Sequence, residues 1–330
     1  MGFISEIVAN FTQPAMLFFI LGLIAVAVKS DLEIPPGVSK FLSMYLLFHI
    51  GIKGGEELFH SGLSSESLVV LLVCAFISFA TPWLLFYILK VQLNTFDAGA
   101  VAAAYGSISA VNFIAATSIL DSSSVAYNGY MVAAMALMES PAVIAGLMII
   151  GLNTKEEGGQ SIDFKHVLHE ALFNGSVFLL LGSLLIGFMG GEEGAAQLHP
   201  FVHSIFKGLL CFYMLDMGLL AAKKVSKIKG HVLFCGSFSI LYPLVFCAIA
   251  VVLARFMNLN IGNAYLFTVL VTSSSFIAVP ASMRMAVPKA NMGILLAMSL
   301  GITFVVNIIF GAALYLPVIK YFWSITGGIN

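Results

Sequence analysis

Charge is what this chain has least of. Asp, Glu, Lys and Arg make up 9% of its 330 residues against 60% for the hydrophobic types, and the mean hydropathy is +1.03. A globular domain folded in water carries several times that share of charge, so a soluble protein is excluded. Cysteine is scarce too. Cys74, Cys211, Cys235 and Cys247 lie inside apolar stretches with no CxxC spacing, which leaves them as small apolar fillers and not a disulfide framework or a thiolate metal site. A net charge of −1 with no basic stripe gives no nucleic-acid partner. No nucleophile with a base, no phosphate loop and no HExxH occurs, so the chain does not read as an enzyme.

Long apolar runs are what it has in abundance. A membrane-crossing helix takes roughly 20 mostly apolar residues. Ten such segments can be marked, at 9–28, 37–58, 66–90, 97–118, 125–152, 168–189, 203–222, 231–255, 263–283 and 288–320. The breaks between them carry turn and charge residues, as in KSDLEIPPG at 29–37, NTKEEGGQSIDFK at 153–165 and KKVSKIKG at 223–230. Glu6, with no Lys or Arg before it and no small-residue cleavage site after the first segment, argues against a cleaved signal peptide. The fold class is an all-α integral membrane protein.

Basic residues are distributed unevenly. All but Lys53, Lys207, Arg255 and Lys320 lie in or beside odd-numbered loops. Basic loops stay on the cytoplasmic side, so both termini are expected outside and the 153–165 and 223–230 loops inside. Five segments precede the central loop and five follow it, which divides the chain into a first repeat at 1–152, a cytoplasmic linker at 153–167 and a second repeat at 168–330. Five is odd, so the second repeat crosses the membrane in the opposite sense. Such inverted repeats are the plan of secondary transporters, whose substrate site lies near the midplane where corresponding segments meet. Sliding the halves so that Ser107 meets Ser274 also sets Gly51 against Gly218.

Segments four and nine then invite comparison. AYGSISAVNF at 104–113 places Gly106, Ser107, Ser109 and Asn112 about halfway along, and TSSSFIAVP at 272–280 places Thr272, Ser273, Ser274 and Ser275 there. Gly106 and Pro280 permit or enforce a break in a helix. A helix that restarts at mid-membrane offers free N–H groups and the positive end of its dipole, and serine hydroxyls add neutral donors. On this reading Gly106, Ser107, Ser109, Ser273, Ser274 and Ser275 cradle an anion. On the other, small residues and hydroxyls simply serve a close helix contact. Both require these residues to be buried in protein.

With FHIGIKGG at 48–55, MESPAVIAGLMI at 138–149, LLCFYMLDMG at 209–218 and the serine triplet continuing as PASMRMAVPKAN to residue 291, these stretches resemble the SbtA-type sodium-dependent bicarbonate transporters, a bacterial family first known from cyanobacteria. The resemblance implies two inverted five-helix halves forming a gate and a core domain, with discontinuous helices in segments four and nine. It also implies a homotrimer in the bacterial inner membrane that imports bicarbonate with sodium; a PII-like regulatory partner is only weakly implied, because the central loop is short. By motif, Ser109 falls on a serine of the family's segment-four run, Ser273, Ser274 and Ser275 on its serine triplet, and Glu139 on an acidic residue before Pro141. The chain also departs from the pattern. Phe276 stands where the cyanobacterial proteins have an aspartate, and Val111 and Asn112 stand where they have serine and threonine. Sodium is left with Asn112, Glu139, Asn307 and Thr272 as candidate ligands, and no other cofactor is expected. The alternatives are a sodium- or proton-coupled symporter of a small organic monocarboxylate, or an ion-binding scaffold or sensor that moves nothing. No mid-depth arginine is present to clamp a second carboxylate.

The remaining charges are costly at membrane depth and read one by one. Glu139 is a cation ligand or a partner of Asn112 or Asn307, or else a protonated residue at a helix interface. Asp216 is expected as a surface charge near a helix end, and Lys53 as half of a local ion pair with Glu56 or Glu57. His166, His169 and Glu170 have helical spacing but no evident third strong ligand, so no metal site is expected.

Overall fold

The computed structural model describes residues 12–62, 64–154, 175–225 and 232–327. Among these, every regular element is helical. In chain order they are α1 (Pro14–Ala27), α2 (Pro36–Ser61), α3 (Ser65–Leu89), α4 (Thr95–Gly106), α5 (Ala110–Ser122), α6 (Tyr130–Leu137) and α7 (Glu139–Thr154). The second half has α8 (Gly175–His199), α9 (Phe206–Val225), α10 (Val232–Phe256), α11 (Ile261–Thr272), α12 (Ala278–Ala286), α13 (Met292–Leu296) and α14 (Ala312–Thr326), with π-helical stretches at Pro200–Ser204, Ala297–Phe304 and Asn307–Gly311. Among the described residues seven helical spans are long and apolar enough to cross a membrane, and Pro14–Ala27 and Ile261–Thr272 are shorter apolar helices. The central linker, with His166, His169 and Glu170, lies outside the described residues, as do Lys227 and Lys229.

Local chemistry fixes the helix ends. Pro36 opens α2, where its missing N–H would have been unpaired in any case, and Ser64 and Ser67 cap α3 reciprocally. Pro141 cannot supply the N–H that the carbonyl of Leu137 needs, and the helical run divides there into α6 and α7. The carbonyl of Met138, in the gap, accepts from Ser78 Oγ at 2.5 Å.

Packing sorts the helices into two bodies. In the first, α1 lies along α9 and α2 along α8. Backbones touch at these crossings: a Cβ on Gly218 would fall 2.2 Å from the Phe19 carbonyl oxygen and one on Gly51 2.8 Å from that of Leu180, the close approach that glycine permits between membrane helices. The second body encloses the interrupted helices. In its most apolar stretch the α4–α5 span is 94% buried, against 33% for the corresponding stretch of α3 and 39% for that of α10, so the broken backbone runs through protein while α3 and α10 show Leu72, Phe76 and Leu233 to the surroundings. Irregular backbone at membrane depth is tolerated only where protein covers it.

Two side-chain clamps hold the interrupted helices at their far ends. Asn94 Oδ1 caps α4 at the Asp97 N–H (2.9 Å), and Asp97 Oδ1 accepts the Asn291 N–H (2.6 Å). Asn260 Oδ1 caps α11 at the Asn263 N–H, and Asn263 Oδ1 accepts the Asn128 N–H, both at 2.8 Å. Each half of the chain thereby grips the other.

Lys53 corrects the sequence reading. Its Nζ lies 2.7 Å from both carboxylate oxygens of Asp121 at the end of α5 and 5.3 Å from the Tyr127 ring centroid. Glu56 instead faces His203, 3.4 Å away across the α8–α9 connection. Tertiary packing brings Asp121 to the lysine, where sequence proximity had favoured the neighbouring acids.

Candidate functional site

The two interruptions are built alike. Helix α4 ends at Gly106 and Ser107 turns extended (φ −93°, ψ −176°); α11 ends at Thr272 and Ser273 does the same (φ −82°, ψ 171°). Matching the asparagine caps and these ends sets Ser107 against Ser273 and Ser109 against Ser275. That is one residue away from the register in which Ser107 met Ser274, because α4 and α11 correspond in where they start and end and not in which serine they carry. Pro280 does not make the break either. It sits in the first turn of α12, where no helical hydrogen bond is lost.

The interruptions cross and bind one another. The Ser109 N–H donates to Ser273 Oγ at 3.1 Å, and the Ser275 N–H donates to the Ala104 carbonyl at 2.8 Å. Gly106 makes this approach sterically feasible, since a Cβ there would fall 2.4 Å from Pro82 Cγ of α3.

Beside the crossing lies a cavity of about 30 Å³, lined by Ser109, Ala110 and Val111 at the start of α5, by Ser275, Ile277 and Ala278 at the start of α12, and by Glu139, Ser43, Ser176 and Tyr213. Ser109 Oγ accepts the Asn112 N–H (3.3 Å) and Ser275 Oγ the Val279 N–H (3.2 Å). Ser109 thus caps α5 and Ser275 takes an N–H from the first turn of α12, each with a lone pair, and each keeps its proton to donate. Ser107 Oγ and Ser274 Oγ are buried with no partner among the described residues. Ser273 is engaged both ways, donating to the Leu270 carbonyl at 3.0 Å. The helix starts, the dipoles and the hydroxyls together suit a small anion.

The cation candidates divide between two places. Glu139, at the start of α7, lines the anion cavity. Asn112 and Asn307 instead line a separate cavity of about 10 Å³ with Tyr265 and Tyr315. There Asn307 Nδ2 donates to the Thr272 carbonyl and its Oδ1 accepts from the Tyr315 hydroxyl, both at 2.8 Å. The Thr272 hydroxyl is turned back to the Thr268 carbonyl. Neither amide atom of the buried Asn112 has a partner among the described residues, an arrangement that costs free energy unless something polar occupies the cavity. Glu139 therefore shares its cavity with the serines and not with either asparagine.

A cleft of about 920 Å³ adjoins the anion cavity, sharing Ser43, Leu47, Ser176, Tyr213, Phe276, Ile277 and Ala278 with it, and reaches Lys40 and Asp216 at one end of the bundle. Asp216 is no surface charge: it is 4% exposed and accepts a short hydrogen bond from Ser39, because α9 turns that side toward α2. At the opposite end the two bodies are tied by Lys53 to Asp121 and by Gln13 Nε2 to Ser122 Oγ at 2.9 Å. Phe276 packs edge-on to Phe304 (5.0 Å between centroids), which packs edge-on to Phe19 of α1 (5.5 Å).

Sequence reasoning missed Ser43, Ser176 and Tyr213. They come from the first body, and only Tyr213 lies in a stretch, LLCFYMLDMG, that had drawn notice. Residues 14–320 match the profile of the Na+-dependent bicarbonate transporter superfamily. No curated protein matches the chain.

Proposed function

Since the chain belongs to the Na+-dependent bicarbonate transporter superfamily, we propose that it imports bicarbonate with sodium by alternating access. It acts as two inverted five-helix repeats, in the bacterial cytoplasmic membrane with both termini outside. The observation that carries this reading is the cavity at the crossing, where two restarting helices and the free hydroxyl protons of Ser109 and Ser275 converge. A monovalent anion held by neutral donors is costly to desolvate, and a co-bound sodium offsets that cost while supplying the driving gradient. Sodium is assigned to oxygens from Glu139 beside the anion or from Asn112 and Asn307 behind the crossing. A homotrimer is expected from the resemblance and is checked by the mass of the purified complex.

Uptake into proteoliposomes tests the site. Ser109→Ala and Ser275→Ala each remove a donor to a charged group, a loss of about 1.5–3 kcal/mol that raises the apparent KM roughly tenfold or more. Normal KM in both variants rejects the cavity as the anion site. No flux in the wild type under any gradient favours the scaffold or sensor.

One observation favours a second reading. Leu46, Leu47, Ile108, Val111, Ile114 and Phe276 give the cavity an apolar wall, which suits the methyl end of an organic monocarboxylate better than a third oxygen. Competition of acetate and lactate against labelled bicarbonate decides between them.

The cleft toward Lys40 and the closed end at Lys53 correspond to an inward-facing state, with the basic residues inside. Lys53→Ala removes a partly exposed ion pair worth about 1 kcal/mol, so labelling of Ser275→Cys by an impermeant thiol reagent from outside, in a variant without the native cysteines, is expected to rise about fivefold. Exchanging the two charges restores protection. Unchanged labelling rejects the pair as a gate contact.

A further inference from the structure

The backbone accounting at the crossing leaves two carbonyls to explain. In an unbroken helix the Ser109 N–H would pair with the Tyr105 carbonyl and the Ser275 N–H with that of Val271. Both N–H groups are spent across the crossing, on Ser273 Oγ and on the Ala104 carbonyl. Tyr105 and Val271 occupy the same place in their helices, each two residues before the extended serine. Their carbonyls are orphaned together at the negative ends of two helix dipoles, on residues buried in protein.

One group serves both. The hydroxyl of Tyr242, on α10, lies 2.7 Å from the Tyr105 carbonyl oxygen and 2.9 Å from that of Val271. Its ring is buried and wedged between Tyr105, edge-on at 4.8 Å, and Phe246, stacked at 4.3 Å. The first half has no such tyrosine: aligning Ser78 and Pro82 of α3 with Ser239 and Pro243 of α10 sets Thr81 against Tyr242.

We propose that Tyr242 is a positioning residue for anion binding, its one hydroxyl proton shared in a three-centre bond between the two carbonyls left without helical partners at the crossing and so fixing how the α5 and α12 starts face the cavity. It touches neither the cavity nor the anion. A phenol supplies the donor without adding charge, so the two helix ends are joined with no cation between them. Without the hydroxyl the carbonyls lose their shared donor and repel. The crossing then loosens at both interruptions at once, since neither carbonyl accepts from another group among the described residues.

The inference rests on reading the crossing as the anion site, and the test separates the two. Tyr242→Phe keeps the ring and its stacking. In purified protein, peptides covering 104–112 and 270–280 are followed by amide hydrogen exchange, which needs no transport. In proteoliposomes the KM and Vmax for bicarbonate are measured. Thr303→Val is the control: it removes a buried bond to the Ser239 carbonyl on the same helix (2.8 Å) and one contact of the Tyr105 hydroxyl (2.6 Å), which keeps Ser239 Oγ at 2.9 Å, and it leaves the Tyr242 hydroxyl and both carbonyls in place. The expected result for Tyr242→Phe is exchange faster by about tenfold in both peptides, the loss of roughly one hydrogen bond, with KM raised by a similar factor and Vmax within about twofold. Thr303→Val changes neither. Exchange unchanged, or faster in one peptide only, overturns the proposal, as does an equal effect of Thr303→Val. Faster exchange in both peptides with KM unmoved leaves the joint intact as a structural feature and overturns its role in binding. Wild-type protein that takes up no bicarbonate overturns the reading of the site instead, and the exchange result still decides the joint.

Discussion

Glu139→Gln is expected to abolish sodium-driven accumulation of bicarbonate while leaving exchange of the anion across the membrane. The glutamate lines the cavity that holds the serine donors. Two negative charges about 4 Å apart repel by about 4 kcal/mol at an effective dielectric of 20, close to a thousandfold in affinity. An ionised Glu139 therefore excludes the anion unless a cation binds with it, which is what obligatory coupling requires. Glutamine removes the charge and with it the requirement, so the anion binds without sodium and the gradient no longer drives it. The measurements are uptake against an imposed sodium gradient and bicarbonate counterflow at equal sodium on both sides. Asn112→Ala, which empties the second cavity of its unpartnered amide, is the companion. If that variant loses sodium dependence and Glu139→Gln keeps it, the ion belongs behind the crossing. Uptake by the wild type that ignores sodium and follows a pH gradient makes Glu139 a proton carrier.

The second large effect is expected from the smallest change. Gly106→Ala places a methyl 2.4 Å from Pro82 Cγ, 2.5 Å from its Cδ and 2.9 Å from the Ser78 carbonyl oxygen. A proline ring and a backbone oxygen cannot swing aside as a flexible side chain would, so the end of α4 must move. That end carries the Ala104 carbonyl that accepts the Ser275 N–H and is continuous with Ser107 and Ser109. Overpacking of this kind costs about 1–3 kcal/mol of stability, and a displacement of about 1 Å at a binding site lowers rates on the order of a hundredfold. Thermal unfolding and uptake read the two effects separately. Pro82→Ala in the same chain opens the space and restores part of both. Transport at the wild-type rate in Gly106→Ala rejects the steric account and leaves Gly106 as a residue chosen for backbone freedom alone.

Composition alone determined the solvent of this protein, since 9% charge and 60% hydrophobic residues admit only a chain that folds in lipid. Apolar runs marked the helices, because a run long enough to cross the hydrocarbon cannot be spent on anything else. Short motifs such as FHIGIKGG and MESPAVIAGLMI carry the likeness to the bicarbonate transporter family in the sequence itself, and the two serine-rich stretches are visible there because hydroxyls stand out against leucine and phenylalanine. What the sequence could not contain was distance. Lys53 chose Asp121 over the adjacent Glu56 and Glu57, Asp216 turned inward to Ser39, and Glu139 parted from Asn112 and Asn307, each because helices far apart in the chain pack side by side. Register was equally out of reach: Ser107, Ser273 and Ser274 are all serines, so identity could not say which pair corresponds, whereas the caps at Asn94 and Asn260 could. Tyr242 drew no notice at all, being one aromatic among many in an apolar segment. Its meaning comes from two carbonyls that lose their helical partners only when the interruptions cross, and that crossing exists only in the folded protein.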